Sequence, residues 1–209
     1  MKGVKAAEAG VAQRLPAGMH GLPAELVARN QRERLIAAMA ETCAEKSYAE
    51  LAVADVVRCA GVSTATFYKQ FDGKRDCMLA AHAELGGRLL EEIDRVAASA
   101  SSWEEGVRIV IRTALAILAV DAPTARLLTV EILAVGPEGS ERHDAALEAL
   151  AQRLRAGRDP RGDSPLAHAD WCAVAAASAL VGRVVMRGEA ASLPGLEDEL
   201  VGLVTAGSR

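Results

Sequence analysis

The sequence predicts an all-α protein, with a small N-terminal unit of three helices followed by a larger helical body. Three observations carry that expectation. Hydrophobic residues make up 51% of the 209 positions and aromatic residues only 3%, with alanine abundant throughout. Alanine loses no side-chain entropy in a helix, so this composition favours helices. Apolar residues recur at helical spacing, and β-branched residues rarely alternate with polar ones, which leaves no strand pattern.

The elements follow in order. Residues 1–22 mix Gly, Pro and basic residues without periodicity and read as a flexible basic arm. Pro23 suits the start of a helix, where its missing N–H is harmless. Leu35, Ile36, Met39, Ala40 and Cys43 then repeat at helical spacing opposite Arg32, Arg34 and Glu41, and this helix should end near 46–48. A second helix runs from Val53 to about Cys59, with Val53, Val56 and Val57 on one face. Gly61 breaks it, a third covers about Thr64 to Gln70, and Gly73 precedes a long fourth from Lys74 to about Ala98. Ser102 caps a fifth helix that reaches about Val120, with Glu105 as capping-box partner. Pro123 opens a sixth, ended by Gly136-Pro137. An amphipathic seventh spans 138–156, and residues 157–165 form a loop rich in Gly, Pro and Asp. An apolar helix from about Leu166 to Arg187 follows, and Pro194 opens the last, which ends near Thr205.

Composition also excludes functions. No apolar run approaches the roughly 20 residues that span a bilayer, and the N-terminus lacks a signal-peptide layout. The expectation is a cytoplasmic protein with no membrane partner. Cys43, Cys59, Cys77 and Cys172 are far apart with no CxxC pair, against a zinc or disulfide framework. His20, His82, His143 and His168 are scattered and no HExxH, GxSxG or phosphate-loop pattern occurs, so neither an enzyme nor a cofactor is expected. Net charge is −4, but unevenly spread: residues 1–75 carry 11 Lys and Arg against 8 Asp and Glu, and residues 76–209 carry 13 against 20. A basic head on an acidic body suits a nucleic-acid reader.

Residues 51–71, LAVADVVRCAGVSTATFYKQF, carry the function. Two short helices meet at Ala60-Gly61-Val62. Ser63 is a good N-cap. Val62 before the cap and Phe67 four positions inside the helix match a hydrophobic staple. Helix, glycine turn and capped short helix make a helix-turn-helix. At about 100° per residue, Phe67 and Phe71 share the core face, whereas Ala65 and Lys69 point away with Thr66 and Tyr68 on the flanks. Small side chains at the helix N-terminus would let its backbone approach base edges in a major groove. Ser63 and Lys74 are placed for phosphates.

Residues 31–79 resemble the tetracycline-repressor (TetR) family, most tellingly in Val53-Ala54-Asp55-Val56, Ala60-Gly61-Val62-Ser63, Thr66-Phe67-Tyr68, Phe71 and Lys74. The stretch LPAGMHGLPAELVARNQRERL is similar to the arm of an actinobacterial branch of that family. The resemblance implies three segments: the flexible arm (1–22), a helix-turn-helix DNA-binding domain (23–74), and an effector-binding and dimerisation domain (75–209). It implies a homodimer that binds double-stranded, palindromic operator DNA as a repressor and leaves it when a small-molecule effector binds. By position, Ser63, Thr64, Ala65, Thr66, Tyr68, Lys69 and Lys74 are the expected DNA contacts. Two departures matter. Ala52 stands where the family often has a capping threonine, a loss of about 0.5–2 kcal/mol. Ala65 cannot make a bidentate base contact, which shifts reading toward Thr64, Tyr68 and DNA shape. Lys2, Lys5 and Arg14 of the arm are candidates for minor-groove or phosphate contacts.

In the helical body, polar residues embedded in apolar stretches are the pocket candidates: His82, Arg112, Thr129 and Glu131, with Met78 and Trp103 as apolar walls. The few aromatics point to an aliphatic pocket. The alanine-rich helix from Leu166 to Arg187 is the expected dimer element, with Trp171, Ala175, Ser178, Ala179 and Gly182 at the interface. A redox sensor using Cys59 or Cys77 is the main rival, and it requires an exposed thiol of lowered pKa.

Overall fold

A computed structural model of the chain describes residues 23–158 and 167–206. The basic arm and most of the predicted loop before the alanine-rich helix lie outside these residues. Nine α-helices and two 3-10 stretches make up the described chain, with no strand among the described residues.

The N-terminal unit comprises α1 (Ala24–Glu45), α2 (Val53–Ala60) and α3 (Thr64–Tyr68). Along α1, Leu35, Ile36, Met39 and Cys43 are fully buried at the spacing of one helical face. That face serves two neighbours, because α1 packs on α2 and also on α4 and α6 of the body. The first helix is therefore an axle shared by both halves. The α2 N-terminus lacks a hydroxyl cap at Ala52, and Asp55 compensates from inside the helix. Its carboxylate accepts from the Ala52 N–H at 2.9 Å and from Lys46 Nζ at 2.9 Å. With Arg58 at 2.7 Å these partners hold the Asp55 carboxyl well below the usual carboxylate range.

The body begins with α4 (Lys74–Ala97), followed by α5 (Trp103–Val120), α6 (Ala122–Thr129), a 3-10 stretch (Glu131–Val135), α7 (Pro137–Arg158), α8 (Ala167–Met186), a second 3-10 stretch (Ala190–Leu196) and α9 (Glu197–Ala206). Ser102 caps α5 by accepting from the Glu105 N–H at 3.2 Å. The expected reciprocal bond is displaced by one residue, since Glu105 accepts from the N–H of Ser101 at 2.8 Å. Gly139 lets α7 lie against the first 3-10 stretch: a Cβ there would stand 2.1 Å from the Ile132 carbonyl oxygen. Arg158 donates to both carboxylate oxygens of Asp170 at 2.7 Å, tying the end of α7 to the start of α8.

Three expected boundaries differ. The sixth helix stops at Thr129 and gives way to a 3-10 stretch instead of running to Gly136, the third stops at Tyr68 rather than Gln70, and Pro194 lies within a 3-10 stretch rather than opening α9. By length and composition, Ala169–Met186 is apolar enough to cross a membrane, contrary to the expectation that no run comes near that threshold. This helix packs on α6, α7 and α9 with one face and leaves the other exposed.

Candidate DNA-reading head and ligand cavity

The short helix α3 is anchored from below and open above. Phe67 is fully buried and Phe71 nearly so, their ring centroids 5.6 Å apart, while Tyr68 is 56% exposed and meets Phe67 edge-on. Thr64, Ala65 and Lys69 are exposed and Thr66 is half-buried. The Ser63 hydroxyl accepts from the Thr66 N–H at 3.0 Å and lies 2.9 Å from its hydroxyl. Six of the seven expected contacts thus sit on or beside the open face of α3. The seventh, Lys74, is already engaged. Its Nζ donates to the carbonyls of Tyr48 at 2.8 Å and Leu51 at 3.1 Å and lies over the Tyr48 ring.

Two arginines of α1 hold this head in place, and neither stood out in the sequence because their partners are remote. The Arg34 guanidinium donates to the carbonyls of Ala60 and Gly61 in the turn. Gly61 is left-handed (φ 60°, ψ 38°), and a Cβ on it would lie 2.8 Å from Arg34 Nη2. The left-handed dihedral favours glycine, and a Cβ would push the Arg34 tip aside. Arg32 pairs with Glu84 of α4 at 2.6 Å and covers the Phe71 ring at 4.7 Å, joining the base of α3 to the long helix.

A second joint links the head to the body. Glu131, in the 3-10 stretch after α6, is 3% exposed. One carboxylate oxygen accepts from the Tyr48 N–H at 2.7 Å and the other from Arg126 Nε at 2.8 Å. Tyr48 is the same residue whose carbonyl receives Lys74.

Within the body lies a partly open cavity of about 760 Å³, lined by α4, α5, α6, α7, α8 and α9. Leu89, Ile93, Val107, Leu115, Leu147 and Val181 represent its aliphatic wall. Of the six pocket candidates from the sequence, His82, Trp103 and Thr129 line it. The other three lie elsewhere, each for a clear reason. Met78 is fully buried in the core below α1. Arg112 faces outward and pairs with Glu197 at 2.8 Å. Glu131 is committed to Tyr48 and Arg126. His143 was missed, although it falls on the inner stripe of α7 with Leu147, Leu150 and Leu154. Its ring centroid lies 6.2 Å from that of His82. At the other end, Trp103 Nε1 donates to the Leu154 carbonyl at 3.1 Å, and Arg153 grips Asp94 through two bonds of 2.7 and 2.9 Å.

The alanine-rich helix divides its faces differently from expectation. Trp171 and Ala179 are exposed, Ala175 is half-buried beside Leu147, Ser178 lines the cavity, and Gly182 is buried against Thr129. Ser178 and Gly182 therefore point inward. With small residues on every side, the sequence of α8 gave no pattern to separate its faces. The outward face carries Trp171, Ala179 and Met186, with Leu203 of α9 also exposed.

Neither thiol considered for a redox sensor, exposed Cys59 or buried Cys77, is shifted toward the thiolate. Burial pushes Cys43 up to about 12, and it raises Cys77 and Cys59 as well, opposite to the lowering that a reactive thiolate needs.

Residues 35–81 match the sequence profile described as bacterial regulatory proteins, tetR family. No curated protein sequence matches the chain. Solved structures do. The fatty acid degradation regulator FadR from Bacillus halodurans is 22% identical, with a TM-score of 0.74 over 86% of this chain and 96% of that one. FadR from Bacillus subtilis, solved in complex with stearoyl-CoA, is 21% identical, with a TM-score of 0.70 over 83% and 97%. A TetR-like regulator from Rhodococcus sp. RHA1 is 17% identical, with a TM-score of 0.66 over 90% and 98%. At these identities the likeness is one of fold. The helix-turn-helix segment thus matches the tetR-family profile, and most of the chain shares the fold of the FadR structures.

Proposed function

We propose that this protein is a dimeric repressor that binds a palindromic operator and leaves it when a small molecule with a long aliphatic part fills the cavity between α4 and α9. One observation carries the reading: α4 follows α3 after the short link 69–73 and continues as a wall of the cavity from His82 to Ala97. Whatever reshapes that wall also moves the reading head. A ligand acts here only through its different affinity for the two arrangements. The cavity volume lies in the range of small-molecule sites, and its aliphatic wall suits a hydrocarbon chain. The stearoyl-CoA complex of the Bacillus subtilis regulator makes a long-chain acyl thioester the first ligand to try.

In this reading Ser63, Thr64, Ala65, Thr66, Tyr68 and Lys69 face the major groove. Lys74 acts mainly by fixing the carbonyls of Tyr48 and Leu51. The outward face of α8, with Trp171, Ala179 and Met186, joins α9 in the twofold interface. Two heads about one DNA turn apart then match the operator's symmetry.

The test is selection of genomic fragments by the purified protein, footprinting at two salt concentrations, and titration of the complex with stearoyl-CoA. The expected result is a short protected palindrome, affinity lowered at least roughly tenfold by Tyr68→Ala or Lys69→Ala, and release by the acyl thioester. Binding that is steeply salt-dependent and shows no preferred sequence would contradict operator reading.

A further inference from the structure

The cavity has one polar corner that its aliphatic wall does not explain. His82 from α4 and His143 from α7 meet there edge to face. The Leu128 backbone, in the last turn of α6, lies close to both imidazoles. Carbonyls in a last helical turn have no partner within the helix, and each has two lone pairs to offer. Burial, with His143 and Arg142 nearby, lowers His82 to about 4, and burial also lowers His143. Both rings are therefore neutral at neutral pH, each with one donor and one acceptor nitrogen.

The remaining groups of the corner are accounted for except one. The Thr129 hydroxyl donates to the Ala125 carbonyl at 2.8 Å. Arg142 stands on the exposed rim. His143 Nδ1 is buried, and no group among the described residues hydrogen-bonds it. In the neutral tautomer protonated at Nε2, Nδ1 is an acceptor. A buried acceptor on the wall of an apolar cavity calls for a donor from the occupant. A neutral imidazole pair is a poor seat for a multiply charged headgroup, but it suits one uncharged group.

We propose that His143 Nδ1 anchors the ligand by accepting a hydrogen bond from a hydroxyl or amide N–H carried on its aliphatic chain. His82 is a positioning residue that holds the corner together. The inference rests on the reading of the cavity as the effector site, and it adds that the effector is not plain hydrocarbon at this point.

The probes are 1-decanol and 1-chlorodecane, similar chains that differ in the donor. Binding of each to the full-length protein is measured by calorimetry, with Trp103 fluorescence as a second readout. The quantity of interest is the ratio of the two affinities, compared between proteins, because the different ease with which the probes leave water then cancels. His143→Leu is expected to lower the decanol preference roughly tenfold, the value of one good hydrogen bond, with chlorodecane binding retained. His143→Asn, whose carbonyl oxygen can accept near the Nδ1 position, is expected to restore most of it. In the wild-type protein, the His143 imidazole nitrogen resonances should move with decanol and not with chlorodecane. This last measurement needs no variant to fold. An unchanged ratio in His143→Leu, or equal resonance shifts with both probes, overturns the anchor while leaving the cavity as a ligand site. Failure of the wild-type protein to bind either probe overturns the cavity reading and the anchor with it.

Discussion

Replacing Glu131 by alanine tests the joint between the cavity half and the reading head. In the folded protein its side chain is 4% exposed, with its two oxygens committed to the Tyr48 N–H at 2.7 Å and to Arg126 at 2.8 Å. Truncation leaves the N–H of a buried residue without an acceptor, which costs about 1–3 kcal/mol. It also strands Arg126. Breaking a buried pair costs about 3–5 kcal/mol, but the Arg126 side chain is 30% exposed and can turn to water, so the low end applies. The expected loss is about 3 kcal/mol, or a fall in Tm of roughly 6–12 °C for a chain of this size. Glu131→Gln keeps a neutral acceptor for Tyr48 and should lose about half as much. The assay is denaturant unfolding at fixed protein concentration, because association adds to apparent stability. The midpoint should shift at constant slope. A change below about 1 kcal/mol for Glu131→Ala, or equal losses for the two variants, would refute the assignment of Glu131 as the buried link.

Three further outcomes follow from the structure. His82 is lowered from 6.5 to about 4 in the folded state, so the unfolded chain binds the extra proton first. Its contribution is fully present above pH 6.5 and is lost as pH falls toward 4, by about 3 kcal/mol; unfolding midpoints across that range should flatten in His82→Gln. Gly61→Ala forces a left-handed backbone on a residue with a Cβ and crowds Arg34, for a loss of about 1–2 kcal/mol, to be read as a lower Tm together with weaker operator binding. Ala179→Glu places a charge on the outward face of α8 and should convert the proposed dimer to monomer in sedimentation; a persistent dimer would move the interface elsewhere.

The sequence by itself determined the elements whose pattern is local. The apolar stripe of α1, the Gly61 turn, the Ser63 cap and the Phe67–Phe71 anchor each depend on residues within a few positions of one another. They could be read directly, and with them the helix-turn-helix. The capping of α5 was legible to within one residue for the same reason. Only the tertiary structure decided which embedded polar residues face the cavity. Arg112 and Glu131 both occupy apolar stretches, yet one turns outward to Glu197 and the other reaches back 83 positions to Tyr48. The clamps of Arg32 and Arg34 likewise join residues remote in sequence. On α8 the small side chains carry too little contrast to tell an inner face from an outer one, so Ser178 and Gly182 were assigned to the wrong side. The residues lining the cavity come from six helices and the link between α4 and α5, and the periodicity of any one helix records only that a face is buried, not what lies against it.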